Sequence, residues 1–261
     1  MTYKYIRLEQ EGKIAVLTLN APEVLNALSS DMVAEISAGI SEASQPDSGI
    51  RCLMMTGEGR AFCSGANLSG GGSASELPPA GSVLETHYAP VMNKLRNLPF
   101  PFMTAVNGVA AGVGMSFAMM GDLVIAARSA YFLQAFAKIG LVPDGGATYF
   151  LPRMIGWSRA LELSLLADRL PAETAAEWGL INRVVPDEDL KDEALKLAQR
   201  LADGPRSLGL IRKAYWRSFE NSFSEQMQLE SNLQSQAQQT WDAGEGVTAF
   251  LEKRETRFEG R

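Results

Sequence analysis

From Lys13 to Leu19 the chain runs through apolar and β-branched residues and closes on Asn20-Ala21-Pro22, which predicts a strand. Leu28–Ala43 follows with Met32, Ile36 and Ile40 four apart, the spacing of one helix face. Arg51–Thr56 predicts a second strand, Gly57–Gly72 a glycine-rich loop, and Val83–Leu98 a helix. Between them, Ser69–Gly81 is a low-complexity tract of Gly, Ser, Ala and Pro, expected to be a mobile surface loop. Phe102–Val106 predicts a strand, Asn107–Gly114 a glycine turn, Met115–Met120 a short buried helix, and Asp122–Ala127 another strand. This alternation of strands and helices predicts an α/β core with βα crossovers.

The end of the chain has a different pattern. From about Glu188 it carries helical periodicity and no strand signal, over Leu190–Ala202, Ser207–Phe219, Ser224–Thr240 and Gly244–Lys253. Gly204-Pro205 and Gly244 punctuate these segments. The pattern predicts a core over residues 1–200 and a helical region over 201–261, either a lid on the core or an oligomerisation module.

Composition narrows the chemistry. The 261 residues are 46% hydrophobic and 21% charged, ordinary for a folded soluble chain. Net charge is −6, which argues against nucleic-acid binding and against an anionic membrane surface. No apolar leader follows Met1 and no apolar run is long enough for a transmembrane helix, so a cytoplasmic protein is expected. Two cysteines, Cys52 and Cys63, and one histidine, His87, exclude a disulfide framework and cysteine-rich or multi-histidine metal sites. No metal is expected. Histidine is the commonest acid–base group in enzymes, so an enzyme built from this chain is expected to use another group. The 24 glycines direct attention to backbone geometry instead.

Three glycine segments stand out: Gly57–Leu68, Asn107–Met115 and Gly140–Thr148. A strand–glycine turn–helix junction exposes main-chain N–H groups that bind negative charge, and two aimed at one oxygen form an oxyanion hole. The same glycines could equally serve tight turns alone. There is no Lys-Ser/Thr after Gly114 for a phosphate loop, no dinucleotide spacing, and no Gly-x-Ser-x-Gly elbow, because Phe62 precedes Cys63-Ser64. Asp144 follows Pro143 and precedes Gly145-Gly146. It could cap the helix expected from about Ala147, or, partly desolvated, transfer a proton.

These segments, in order, resemble the crotonase or enoyl-CoA hydratase/isomerase superfamily. The resemblance covers essentially the whole chain: Leu19–Leu28, Ala61–Leu68, Asn107–Gly114, Leu151–Gly156, Ala175–Ile181 and Val247–Arg254 each match a family signature. It implies a spiral core of ββα turns with a C-terminal helical trimerisation region. The expected assembly is a homotrimer or a dimer of trimers. It also implies an acyl-CoA thioester as substrate, with coenzyme A part of the substrate and no separate cofactor. The thioester oxygen would lie between the N–H groups of Ala66 and Val113, where Val113 replaces the family's common glycine. Coenzyme A would contact Leu25, Ala27, Ala61, Ser64, Gly65, Asn67, Leu68 and Gly112, with Lys253, Arg254 and Phe258 as a basic and apolar patch. Asn67 replaces a more usual Asp.

The departures bear on the reaction. The two glutamates of family hydratases correspond to Ser116 and Phe136, neither of which is a carboxylate. Asp144 matches an acid of isomerase members, and the Phe132–Gly145 stretch is most similar to the phenylacetate-pathway, 1,2-epoxyphenylacetyl-CoA isomerase branch, itself similar to delta-3,delta-2-enoyl-CoA isomerases. The resemblance thus implies double-bond isomerisation with Asp144 as proton shuttle. The alternatives are a hydratase, covalent catalysis by Asp144, and a non-catalytic acyl-CoA-binding member. The acyl group is expected against the Ser69–Pro90 loop and helix.

Overall fold

A computed structural model of the chain describes residues 2–68 and 80–261. The chain opens with a hairpin. β1 (Ile6–Glu11) turns through Gly12-Lys13 into β2 (Ile14–Leu19), with Glu11 opposite Ile14. All six β2 residues are buried, as befits a strand covered on both faces. After α1 (Ser30–Ala43), capped by the Ser29 hydroxyl on Met32 N–H, β3 (Cys52–Gly57) lies parallel to β2.

From β3 onward one unit repeats. β3 leads to β4 (Ala61–Cys63), then to the helical stretch α2 (Ala80–Val83), a π-helical turn at Leu84–Tyr88, and α3 (Ala89–Arg96). β5 (Phe102–Val106) leads to β6 (Val109–Ala111) and α4 (Val113–Met119). β7 (Leu123–Ala127) leads to β8 (Tyr131–Leu133), a 3-10 turn at Ala135–Ile139, and α5 (Ala147–Ile155). The first strand of each unit joins one sheet and the second joins another, so the chain climbs as a spiral of ββα turns. After α6 (Trp157–Leu166), β9 (Arg169–Pro171) and α7 (Ala172–Glu177), β10 (Arg183–Val185) completes the larger sheet in the order β1-β2-β3-β5-β7-β10. The smaller sheet runs β4-β6-β8-β9.

β4, β6 and β8 occupy stretches that the pattern assigns to loops or leaves unassigned. Each has three residues, too few for a period-two signal, and each is held by pairing with its neighbour. β1 is an edge strand with only Ile6 fully buried, so its apolar signal is weak. α4 starts at Val113, two residues before the expected Met115, and the expected Val83–Leu98 helix forms within an unbroken helical run from Ala80 to Arg96 that contains the π-helical turn. The expected mobile loop of the Ser69–Gly81 tract falls mostly on residues 69–79, outside the described residues.

After Val185 the described elements are helical: α8 (Leu190–Ala202), α9 (Ser207–Ser218), α10 (Phe223–Gln238) and α11 (Trp241–Glu252). α8 packs on β2, β3, β5 and β7, burying Leu190, Ala194, Leu197, Ala198 and Ala202 in the core. α9 is tied down by Arg212. Its guanidinium, 4% exposed, pairs with Asp122 at 2.7 Å and donates to the carbonyls of Leu95, Arg96 and Leu98. Large side chains on the outer helices stay exposed, among them Trp157, Leu165, Tyr215, Phe223, Phe250 and Leu251. No helix among the described residues is long and apolar enough to cross a membrane.

Candidate active site

The site forms where strands of both sheets end in glycine turns. In the first turn, Ser64 N–H donates to Leu25 O at 3.0 Å, Leu28 N–H to Gly65 O at 2.8 Å, and Asn67 N–H to Leu28 O at 3.0 Å. This is an isolated parallel bridge between Leu28 and Ala66. It uses the peptide groups on either side of Ala66 and leaves Ala66 N–H without an acceptor among the described residues. The bridge also brings Leu25 and Ala27 beside Ser64, Gly65, Ala66 and Asn67. Leu68 follows, half exposed to solvent.

The buried Asn26 side chain holds this turn. Its Oδ1 accepts from Ala21 N–H at 2.9 Å, and its Nδ2 donates to Glu58 O at 3.0 Å and Ala61 O at 2.8 Å. Asn107 donates to Gly59 O and Ala61 O from the next unit. Ala61 therefore sits in the interior with its carbonyl already engaged. Asn26 lies inside the Leu19–Leu28 signature, but its role was not legible there. It depends on carbonyls more than thirty residues away.

The second turn meets the first. Gly112 caps α4 at φ 52°, ψ −131°, a conformation that side chains rarely adopt, and its N–H donates to Leu133 O. A Cβ on Gly112 would lie 3.9 Å from Gly65 Cα and 3.7 Å from Phe136 Cζ, so the two turns are in contact. Gly114 packs so closely on β4 that a Cβ there would lie 2.7 Å from Cys63 Sγ. Val113 N–H, in the first turn of α4, has no acceptor among the described residues.

Asp144 faces these turns from the loop before α5. Ser116 Oγ donates to Asp144 O at 2.9 Å, and a Cβ on Gly145 would lie 3.0 Å from Val113 Cγ2 and 2.9 Å from Ser116 Cβ. Asp144 does not cap α5. The N-cap is Gly146, with no side-chain capping bond, and Asp144 contributes only its carbonyl, to Ala147 N–H. Asp144 Oδ1 is buried without a hydrogen-bond partner among the described residues, and burial pushes the carboxyl up to about 6. A cleft of about 330 Å³ opens beside it, between Leu84, Tyr88 and Met92 on one side and Gly145 on the other.

The structure thus brings together Ala66, Val113 and Asp144, with Ser116 and Phe136 flanking them, and sets Leu25, Ala27, Ser64, Gly65, Asn67, Leu68 and Gly112 around the first two. It does not bring Lys253 and Phe258 to this cluster within the chain. Lys253 ends α11, and Phe258 O accepts from Arg51, which directly precedes β3, whereas the glycine turns lie beyond its other end. Six strand residues, about 20 Å, separate the two ends. Arg254 is engaged by Glu245 at 2.7 and 2.8 Å and by Glu252. Among the described residues no cluster of His, Cys, Asp or Glu could hold a metal ion.

Residues 9–261 match the family described as Enoyl-CoA hydratase/isomerase. A 1,2-epoxyphenylacetyl-CoA isomerase of Escherichia coli (strain K12) is 44% identical over 261 residues, covering 99% of each chain. A probable enoyl-CoA hydratase of Rhodobacter capsulatus is 43% identical over the full length of both. The solved structure of an enoyl-CoA hydratase subunit from Geobacillus kaustophilus superposes with a TM-score of 0.91 at 35% identity, covering 99% of each chain.

Proposed function

The chain belongs to the enoyl-CoA hydratase/isomerase family, and on that footing we propose that it isomerises an unsaturated acyl-CoA thioester, with Asp144 moving the proton. The reading rests on one observation above the others: a buried, unpartnered carboxylate oxygen beside two open main-chain N–H groups. Asp144 takes a proton from the α or γ carbon of the bound enoyl group. The electron pair moves to the thioester oxygen, which the Ala66 and Val113 N–H groups hold as a dienolate. Asp144 returns the proton at the other carbon, and one carboxylate suffices because the proton never leaves the site.

Hydration is the second reading, prompted by the name of the Rhodobacter relative. Against it stand Ser116 and Phe136, which offer no carboxylate to activate water where the family resemblance implies two glutamates. Turnover of straight-chain and aromatic trans-3-enoyl-CoA esters tests the isomerase, and loss of crotonyl-CoA absorbance tests the hydratase. Full isomerase turnover by Asp144→Asn would sink the assignment.

The proposal includes a homotrimer or dimer of trimers. The exposed Tyr215, Phe223, Phe250 and Leu251 supply apolar surface suited to burial between copies. A neighbouring copy is also the remaining route by which Lys253 and Phe258 could meet coenzyme A. Light scattering of the purified protein gives the copy number.

A further inference from the structure

Two cavities lie side by side at the end of the larger sheet remote from the glycine turns. They open where β3 and β5 begin, between the loop after α3 and the start of α9, and have volumes of about 290 and 280 Å³. Pro99, Arg206 and Gly209 line both. Gly209 lets the helix settle on the loop, since a Cβ there would lie 1.9 Å from Pro99 O. Among the described residues no Asp or Glu lines either cavity.

The walls are basic on a chain whose net charge is −6. Arg206, the N-cap of α9, stands with Leu210, Lys213 and Arg217 at three- and four-residue spacing, so one stripe of the helix faces the second cavity. Arg51 adds a cation from the start of β3. Three of these cations lack a counter-charge among the described residues. Arg51 is half-buried, and its guanidinium donates only to the carbonyls of Phe258 and Gly204. Arg206 reaches Gly260 O at 3.4 Å, and Lys213 makes no hydrogen bond or ion pair. Asp203, beside Gly204, is engaged by Lys13 at 3.3 Å and Gln199 at 2.6 Å. A partly desolvated cation held by neutral acceptors alone favours an anion at its side. The exposed Ile211, Tyr215 and Phe219 fall on the opposite side of α9, so its apolar and basic faces are separate surfaces.

We propose that the paired cavities bind a nucleoside diphosphate, with its phosphates on Arg206, the cation common to both, flanked by Arg51 and Lys213, and its organic part against Pro99 and Leu210. Guanidinium groups pair with phosphate through their planar fork. Lys213 stands two helical turns, about 10 Å, from Arg206, so one phosphate cannot bridge them and a longer phosphorylated ligand can. The length of β3 separates this site from the candidate active site, and the inference does not depend on the reaction catalysed there.

The test is calorimetric titration of the whole protein with ADP. Arg206 and Lys213 are exposed side chains, so Arg206→Ala and Lys213→Ala remove charge without opening the core. Each should weaken ADP binding by about tenfold or more. Lys191→Ala, at the far end of α8 from the cavity residue Leu201, should leave it unchanged. Inorganic pyrophosphate should bind more weakly than ADP. Coenzyme A carries the same diphosphate chemistry. A second equivalent of it per chain, lost in Arg206→Ala, would name coenzyme A as the source of the ligand, and a single equivalent insensitive to Arg206 would name a free nucleotide. Absence of ADP binding at about 1 mM overturns the proposal. So does ADP binding that neither Arg206→Ala nor Lys213→Ala weakens, or that Lys191→Ala weakens equally. Pyrophosphate binding as tight as that of ADP overturns the role given to Pro99 and Leu210.

Discussion

Ser116 Oγ donates to the Asp144 carbonyl oxygen at 2.9 Å, so the residue where the family resemblance implies a hydratase carboxylate instead fastens the loop that carries Asp144. Ser116 is fully buried and abuts Gly145. Ser116→Ala should therefore cost about 1 kcal/mol of stability and lower kcat more than it changes KM. Ser116→Glu should not create a hydratase. A buried carboxylate against Gly145 should cost about 3 kcal/mol or more. Thermal melts, isomerase turnover and crotonyl-CoA hydration measure these effects.

Asp144 sets two pH dependences. In the proposed reaction it is the base and must be ionised, so kcat/KM should rise with pH through about 6 and level off above it. Asp144→Asn should lower turnover by about 10²–10⁴-fold at pH 8.

The same group affects folding with the opposite sign. Its carboxyl sits near 6 when folded against 3.8 as a free side chain, so the folded state holds its proton more tightly. Its contribution favours folding below about 3.8 and is lost as pH rises through about 6. Asp144→Asn should be more stable than wild type at pH 8 by about 1–2 kcal/mol, after discounting for solvent contact, and the gap should close near pH 4. Urea melts at both pH values test the sign. A less stable variant at pH 8 would contradict it.

Gly114→Ala tests the seat of Val113 N–H. The added methyl would meet the Cys63 carbonyl, which belongs to a paired strand, and Cys63 Sγ at 2.7 Å. α4 must shift, and the N–H moves with it. A loss of about 1–3 kcal/mol in stability is expected, with kcat falling by about 10²-fold or more. Turnover and a melt on the same preparation separate the two effects.

Arg212 joins α9 to the core through Asp122 and three carbonyls. Arg212→Ala leaves Asp122 partly buried without its cation and should cost about 3–5 kcal/mol. Arg212→Lys should rescue little of this, because one ammonium cannot reproduce the planar fork. Chemical denaturation gives both values.

Legibility in the sequence followed burial and span. Phe102–Val106 and Leu190–Ala202 were readable to the residue, because continuous apolar runs and strong helical periodicity need no distant partner. Ala61–Cys63 and Val109–Ala111 were not, because three-residue strands owe their form to pairing across more than forty positions. At the candidate site, Ala66, Val113 and Asp144 were named from the ordered motifs that carry the family resemblance. Asn26 acts through carbonyls far along the chain and left no local pattern. Lys253 and Phe258 were grouped with the site by motif alone, and the contacts of the last residues with Arg51 and Asp242 carry the tail elsewhere.

The two open N–H groups belong to the main chain, so among all codons at positions 66 or 113 only proline's removes one. The frame proposed to hold the anion is thus insensitive to most substitutions, whereas positions 116, 136 and 144 are side chains and can change one at a time. On the proposed reaction, a chain with this architecture can exchange one reaction for another by redistributing carboxylates among these positions, without rebuilding the means of stabilising the intermediate.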